Sequence, residues 1–185
     1  MSSLRLQTAR LQLVAATLEL ALAEARDKKT FRELLGVDVP HYWPPPLNDE
    51  QSHRWLVNLL TTDPSAVGWA LWYFLLLRPG SCPLAIGNGG LKGRPSADGT
   101  VEVGYSIIPK YQQQGYAPEA TEALVAWAFG HAQVTRVIAH TLPELQPSIR
   151  VLEKLGFTFT GVGNEAGTIG YELKREDWKH KQTMR

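Results

Sequence analysis

Cysteine is nearly absent. Cys82 stands alone among 185 residues, so neither an intrachain disulfide framework nor a CxxC-type zinc site can be built. A surplus of one charge is missing as well: nineteen Lys and Arg face eighteen Asp and Glu, leaving a formal net charge of +1. General electrostatic binding of nucleic acid normally needs a basic excess, so that class finds no support and no DNA partner is expected. Long apolar runs are also lacking. The most apolar window, Trp69 to Leu77, falls far short of the ~20 residues a membrane helix needs. The segment after Met1 has no apolar h-region of a secretory signal. These absences lead us to expect a soluble, cytoplasmic protein without a membrane partner.

What is present is ordinary globular material, 44% hydrophobic and 20% charged. A chain this long buries roughly 70% of its unfolded surface without a staple. One domain is expected over residues 1–185, with a helical and Pro-rich substrate-side segment at about 16–65. Leu4, Leu6, Leu11 and Leu13 alternate with polar residues around Thr8-Ala9-Arg10, which reads as strand. From Thr17, a suitable N-cap, Leu18, Ala21, Leu22 and Ala25 recur at helical spacing. Phe31 to Leu35 reads as a second helix stopped by Gly36. Pro40-His41-Tyr42-Trp43-Pro44-Pro45-Pro46 must be a stiff loop, because three prolines in a row remove backbone donors. A helix from about Asp49 to Leu60 follows, with Trp55, Leu56 and Leu59 supplying apolar contacts.

Trp69–Leu77, Leu84–Lys92 and Thr100–Ile108 read as strands joined by short turns, which favours antiparallel neighbours. Helix Pro118–His131, strand Arg136–Thr141, helix Pro147–Leu155 and strand Gly167–Leu173 come next, with Phe157–Thr160 as a further short strand. The Lys174–Arg185 stretch is basic and reads by default as a solvated tail. The fold class is therefore mixed α/β (α+β), with a mainly antiparallel sheet flanked by helices.

One segment carries chemistry. A strand ends near Pro109, a turn bearing Gly115 follows, and Pro118 sits where a first helical turn would start. Free N–H groups and the dipole at such a helix entrance attract anions, and small Gly115 and Ala117 let a phosphate approach the backbone. The same turn also suits a plain strand-to-helix connection that binds nothing. It lacks the Lys-Ser/Thr ending of a P-loop and the spacing of a dinucleotide fingerprint. Gly87-Asn88-Gly89-Gly90 fails the same tests and reads as a bulge or turn.

Gln112-x-x-Gly115-x-Ala117 resembles the Gln/Arg-x-x-Gly-x-Gly/Ala motif of the GNAT acetyltransferase superfamily, and Ser148 to Phe157 is similar to that family's later helix with its Lys-x-Gly-Phe ending. Thr8-Ala9-Arg10-Leu11 and the Trp43-Pro44 loop look like the branch that acetylates ribosomal-protein N-termini. The resemblance implies a GNAT-like fold and transfer of acetyl from acetyl-CoA to a primary amine, direct and without an acyl-enzyme or a metal. It implies that backbone groups of Ile107 and Ile108 pair with the cofactor's amide-bearing arm, and that Gln112, Gln113, Gln114, Gly115, Tyr116 and Ala117 hold its pyrophosphate.

Acetyl transfer also needs an acid for the departing thiolate and a base for the amine. Many members place a tyrosine in the later helix as that acid, but here Leu152 occupies the position. The ribosomal-protein branch instead carries a serine, matched by Ser148, whose alternative role is helix-start hydrogen bonding. The branch's usual asparagine three residues earlier is replaced by Leu145. Glu102 resembles the carboxylate that serves as base in many relatives; otherwise it is a strand glutamate beside Lys or Arg. Glu144 is a weaker substitute, and His140 reads as structural. Tyr42 and Trp43 are acceptor-pocket candidates, whereas Trp69 and Trp72 read as core. Cys82, with no basic partner in sequence, makes a poor nucleophile. A non-catalytic acyl-CoA-binding domain is the competing class, and the acceptor amine and oligomeric state stay open.

Overall fold

The computed structural model describes residues 4–183. Strands β1 (Arg5–Gln7), β2 (Leu11–Ala15), β3 (Leu71–Leu76), β4 (Leu84–Leu91), β5 (Thr100–Ile107), β6 (Arg136–Thr141), β7 (Thr158–Val162) and β8 (Ile169–Lys174) form one sheet in the order β1-β2-β3-β4-β5-β6-β8-β7. Every neighbouring pair is antiparallel except β5 and β6, which are parallel and joined through a helix. The mainly antiparallel sheet expected from the short turns is therefore present, and so is the one parallel pair that a helical crossover permits.

Period-two alternation gives the sheet two apolar faces. Leu13, Trp72, Phe74, Val101 and Val103 pack on α4 (Tyr116–Phe129), α5 (Gln146–Leu155) and α6 (Arg175–Thr183) through Leu124, Val125, Leu152, Leu155 and Trp178. Val14, Tyr73 and Leu75 turn the other way, onto α1 (Leu18–Arg26), α2 (Lys28–Leu35) and α3 (Glu50–Thr62) through Leu20, Phe31, Leu35, Leu56 and Leu60. The local signals operate as expected at both ends of this helical layer. Thr17 Oγ1 accepts from Leu20 N at 3.2 Å, and Gly36 closes α2 in the left-handed region at φ 71°.

Two expectations are corrected. Trp55 is 43% exposed; the inward side of α3 belongs to Leu56 and Leu60. The basic tail is helical rather than simply solvated: Trp178 is buried against Phe129, and the Arg175 guanidinium donates to the carbonyls of Phe129, His131 and Val134 just beyond α4. Charge counting hid this helix, because one buried tryptophan and one capping arginine outweigh a polar majority. No helix among the described residues is long and apolar enough to cross a membrane.

Candidate functional site

The parallel pairing of β5 and β6 covers only Thr100–Glu102 against Arg136–Ile138. Beyond it the strands part, so Val103 to Ile107 carry an edge with no strand partner on that side. Lys92 N donates to Glu102 O, and Ile108 N donates to Ile86 O. The register between β4 and β5 is unbroken over that span. Alternation then directs the odd-numbered backbone groups, those of Tyr105 and Ile107, into the gap. Ile107 O is taken by Gln112 Nε2 at 2.8 Å, which leaves its N–H and both groups of Tyr105. Ile108 is spent on both sides, since its carbonyl accepts from Tyr111 N at 2.8 Å, and its side chain is buried.

At the end of β5 the chain turns through Gln113 (φ 58°) and Gly115 (φ 81°) into α4. No acceptor among the described residues takes the N–H groups of Gln113, Gln114, Gly115, Tyr116 or Ala117. The side chains of Gln112 and Gln114 are occupied within the loop, on Ile107 O and Lys110 O. Five consecutive unpartnered amides at a helix mouth are the kind of backbone group that can take an anion. These residues suit the pyrophosphate of acetyl-CoA, because a bound phosphate would meet donors that nothing else satisfies.

Ser148, in the first turn of α5, lies across the gap from Tyr105. The two hydroxyls are 3.2 Å apart, and the phenol also reaches Ser148 O at 3.1 Å. Burial pushes the Tyr105 phenol up to about 12, against the serine bond that works to lower it, so it stays protonated at neutral pH. Tyr105 was not among the expected site residues, although its place between Val103 and Ile107 puts it on the α4–α5 face by strand alternation.

Glu102 points to the opposite face, with Ser106 and Gly104. Its Oε1 lies 2.5 Å from Lys92 Nζ and 3.1 Å from His140 Nδ1. The strand glutamate beside a lysine is thus realised, with a histidine added. A Cβ built on Gly104 would meet nothing within 4 Å, so the sheet floor next to Glu102 is open. Ser106 Oγ donates to Pro46 O at 2.6 Å, and Asn88 Nδ2 donates to Asn48 Oδ1 at 2.7 Å. These bonds moor the proline loop beside that floor. Tyr42 is 40% exposed on this loop and lies edge-on to His41. Trp43 is only 5% exposed; it packs near Phe31 and Tyr73 and donates through Nε1 to Glu24 Oε1 at 2.7 Å. Tyr73 OH donates to Glu24 Oε2 at 2.8 Å. Burial raises the Glu24 pKa, partly countered by these two bonds and by His53. Trp43 therefore shapes the loop from inside.

Leu145 precedes α5 without a capping side chain, Leu152 is fully buried and Glu144 is exposed. Cys82 is exposed, with Sγ 3.5 Å from Gly36 O. No group of three metal-ligating side chains occurs among the described residues.

A family profile described as an acetyltransferase (GNAT) domain matches residues 17–158. The uncharacterized N-acetyltransferase YjdG of Bacillus subtilis is 26% identical over 156 residues, covering 82% of this chain and 88% of that protein. The FsC-acetyl coenzyme A-N(2)-transacetylase of Aspergillus fumigatus is 27% identical over 152 residues, covering 71% of this chain and 60% of that protein. Among solved structures, the ribosomal-protein-S5-alanine acetyltransferase from Vibrio fischeri superposes with a TM-score of 0.62 at 21% identity, over 95% of this chain and 98% of that one. At that identity the likeness is one of fold.

Proposed function

The chain belongs to the GNAT family of N-acetyltransferases, and from that premise we propose that it moves acetyl from acetyl-CoA directly onto a primary amine, with the N-terminal amine of a protein as the favoured acceptor. The observation that carries the reading is the run of five unpartnered amides, Gln113 to Ala117, beside the unpaired edge of β5. Acetyl-CoA supplies an activated acetyl thioester. In this reading the amides hold its pyrophosphate, while the N–H of Ile107 and the backbone of Tyr105 pair with its arm.

The proton traffic falls to residues on the two faces of β5. Glu102, whose Oε1 faces Lys92 and His140, accepts a proton from the incoming ammonium, directly or through water. Ser148 Oγ gives a proton to the departing sulfur. Tyr105 supports that step: while its O–H donates to Ser148 Oγ, the serine hydroxyl is free to donate to the sulfur. The phenol then re-protonates Ser148 Oγ, and it regains its own proton, by way of water, from the second proton that the attacking nitrogen loses. The protein-N-terminus assignment draws on the Trp43-Pro44 and Thr8-Ala9-Arg10-Leu11 resemblance and on the open floor at Gly104. The Vibrio structure supports the fold part of that reading.

An acceptor panel of peptides, amino acids and polyamines, read by coenzyme A release and product mass, tests the assignment. Peptide α-amines are expected to turn over fastest. Preference for a polyamine would overturn the acceptor class, and cofactor binding without any turnover would leave only an acyl-CoA-binding module. Ser148→Ala should lower kcat about 100-fold, and Tyr105→Phe about tenfold, with little change in acetyl-CoA affinity. Unchanged kcat in Ser148→Ala removes it from the acid role.

A further inference from the structure

The anion cradle is not self-supporting. Gln113 is a non-glycine residue in the left-handed region, and Gly115, two residues on, is in the same region. Such a conformation costs of order 1 kcal/mol and persists only where surrounding contacts over-determine it. Two contacts come from the loop's own glutamines. The third comes from the turn between β1 and β2, more than a hundred residues away in sequence.

Arg10 Nη1 donates to Gln114 O at 2.9 Å, between the two left-handed residues. The guanidinium lies 4.4 Å from the centre of the Tyr116 ring and meets Glu119 Oε2 through both Nε and Nη2 at 2.7 Å. Glu119 Oε1 in turn accepts from Arg10 N at 2.8 Å and Thr8 Oγ1 at 2.6 Å. One carboxylate on the first helical turn thus binds a whole strand connection, and one guanidinium spans the loop and that turn.

The chemical effect follows from the peptide plane. Gln114 C=O and Gly115 N–H belong to one planar trans unit and point in opposite directions. A cation on Gln114 O fixes where Gly115 N–H points and polarises it as a donor. Arg10 also neutralises Glu119, whose charge would otherwise face any anion arriving at the helix mouth. Burial works to raise the Glu119 carboxyl, but the bonds from Thr8 and Arg10 outweigh it and its pKa is lowered.

We propose that Arg10, locked by Glu119 and Thr8, is a positioning residue for the phosphate cradle: it sets the Gly115 amide toward the pyrophosphate of coenzyme A and has no part in holding the pantetheine arm. This rests on the reading that the Gln113–Ala117 amides hold the pyrophosphate, and the test separates the two ideas.

Titration calorimetry with coenzyme A and competitive titration with pantetheine, which lacks the nucleotide and all three phosphate groups, give an affinity ratio for each variant. Wild type is expected to favour coenzyme A strongly; a ratio near one would sink the cradle reading itself. Arg10→Gln is expected to cut coenzyme A affinity about tenfold while pantetheine affinity holds, so the ratio falls about tenfold. Glu119→Gln should move it the same way by a smaller factor, with Arg10→Lys between wild type and Arg10→Gln. The hydrogen-exchange protection that bound coenzyme A confers on the 113–117 amides should fall in Arg10→Gln, with exchange in β5 and α5 unchanged. An unchanged ratio, or an equal loss for both ligands, overturns the positioning role while leaving the cradle intact.

Discussion

Two loops flank the cleft, and each is anchored by one carboxylate, but the anchors are of opposite kinds. Glu119 holds the cofactor-side loop through a guanidinium that is 45% exposed, a backbone amide and a hydroxyl. Glu24 holds the proline loop through two neutral donors, the Trp43 indole and the Tyr73 phenol, inside an aromatic cluster with Phe31. The first anchor is electrostatic and lies near the surface, so it orients donors without needing much buried area. The second is a polar pin in an apolar core, where packing supplies most of the stability and the hydrogen bonds select one arrangement. The loop proposed to meet a polyanion and the loop proposed to shape a pocket are thus secured by different physics.

Removing the centre of the aromatic anchor should have the largest effect. Trp43→Ala is expected to cost about 3–5 kcal/mol of unfolding free energy, read as a lower denaturant midpoint. Trp43→Phe, which keeps the ring and drops the N–H, should cost about 1.5 kcal/mol. If the two variants are equally damaging, the hydrogen bond rather than the packing dominates and the contrast fails.

Acidity should then separate the anchors by sign. The Glu119 pKa is lowered, so its contribution is full above the ordinary value of 4.5 and is lost as pH falls through the folded value. The Glu24 pKa is raised, so its contribution is full below 4.5 and is lost as pH rises through the folded value. Urea midpoints across the acid range, with Glu119→Gln and Glu24→Gln as references, should drift in opposite directions relative to wild type. Drift in the same direction would erase the distinction. Smallest of all is salt. Raising ionic strength should weaken the Arg10–Glu119 coupling in a double-mutant cycle by about 0.3–0.5 kcal/mol and leave the Trp43–Glu24 coupling unmoved.

How much of this was legible beforehand differs between the loops for the same reason. Gln112 to Ala117 announces itself because an amide cradle needs a small residue at Gly115 and a helix entrance, which Pro118 in the first turn of α4 marks, and both are local in sequence. The antiparallel run β3-β4-β5 was similarly readable from short turns, whereas the β2–β3 and β6–β8 pairings were not. Glu24 was invisible: a glutamate on an exposed-looking helix gives no hint that Trp43, nineteen residues on, and Tyr73, forty-nine on, will converge on it. The same holds for Arg10 and Glu119, separated by 109 residues. Trp43 was read as a pocket residue because a proline loop looks exposed, yet the indole turns inward to fill the gap over Phe31. Strand alternation places Tyr105 on the α4–α5 face, but its partner Ser148 lies forty-three residues on and no local signal in the sequence joins the two.

The clamp from Arg10 to Glu119 also orders events in time. The contact closes a loop of more than a hundred residues, and β2 can bring Arg10 to α4 only once it has docked on β3, whose neighbours must be in place for the sheet to form. A chain still leaving the ribosome, or one opened at its first strands, would present the correct local motif with an unset Gly115 amide. On the proposed reading, tight coenzyme binding would report that the β1–β2 turn and the start of α4 have met, and the nucleotide end of the cofactor would serve as an inspection of the finished sheet.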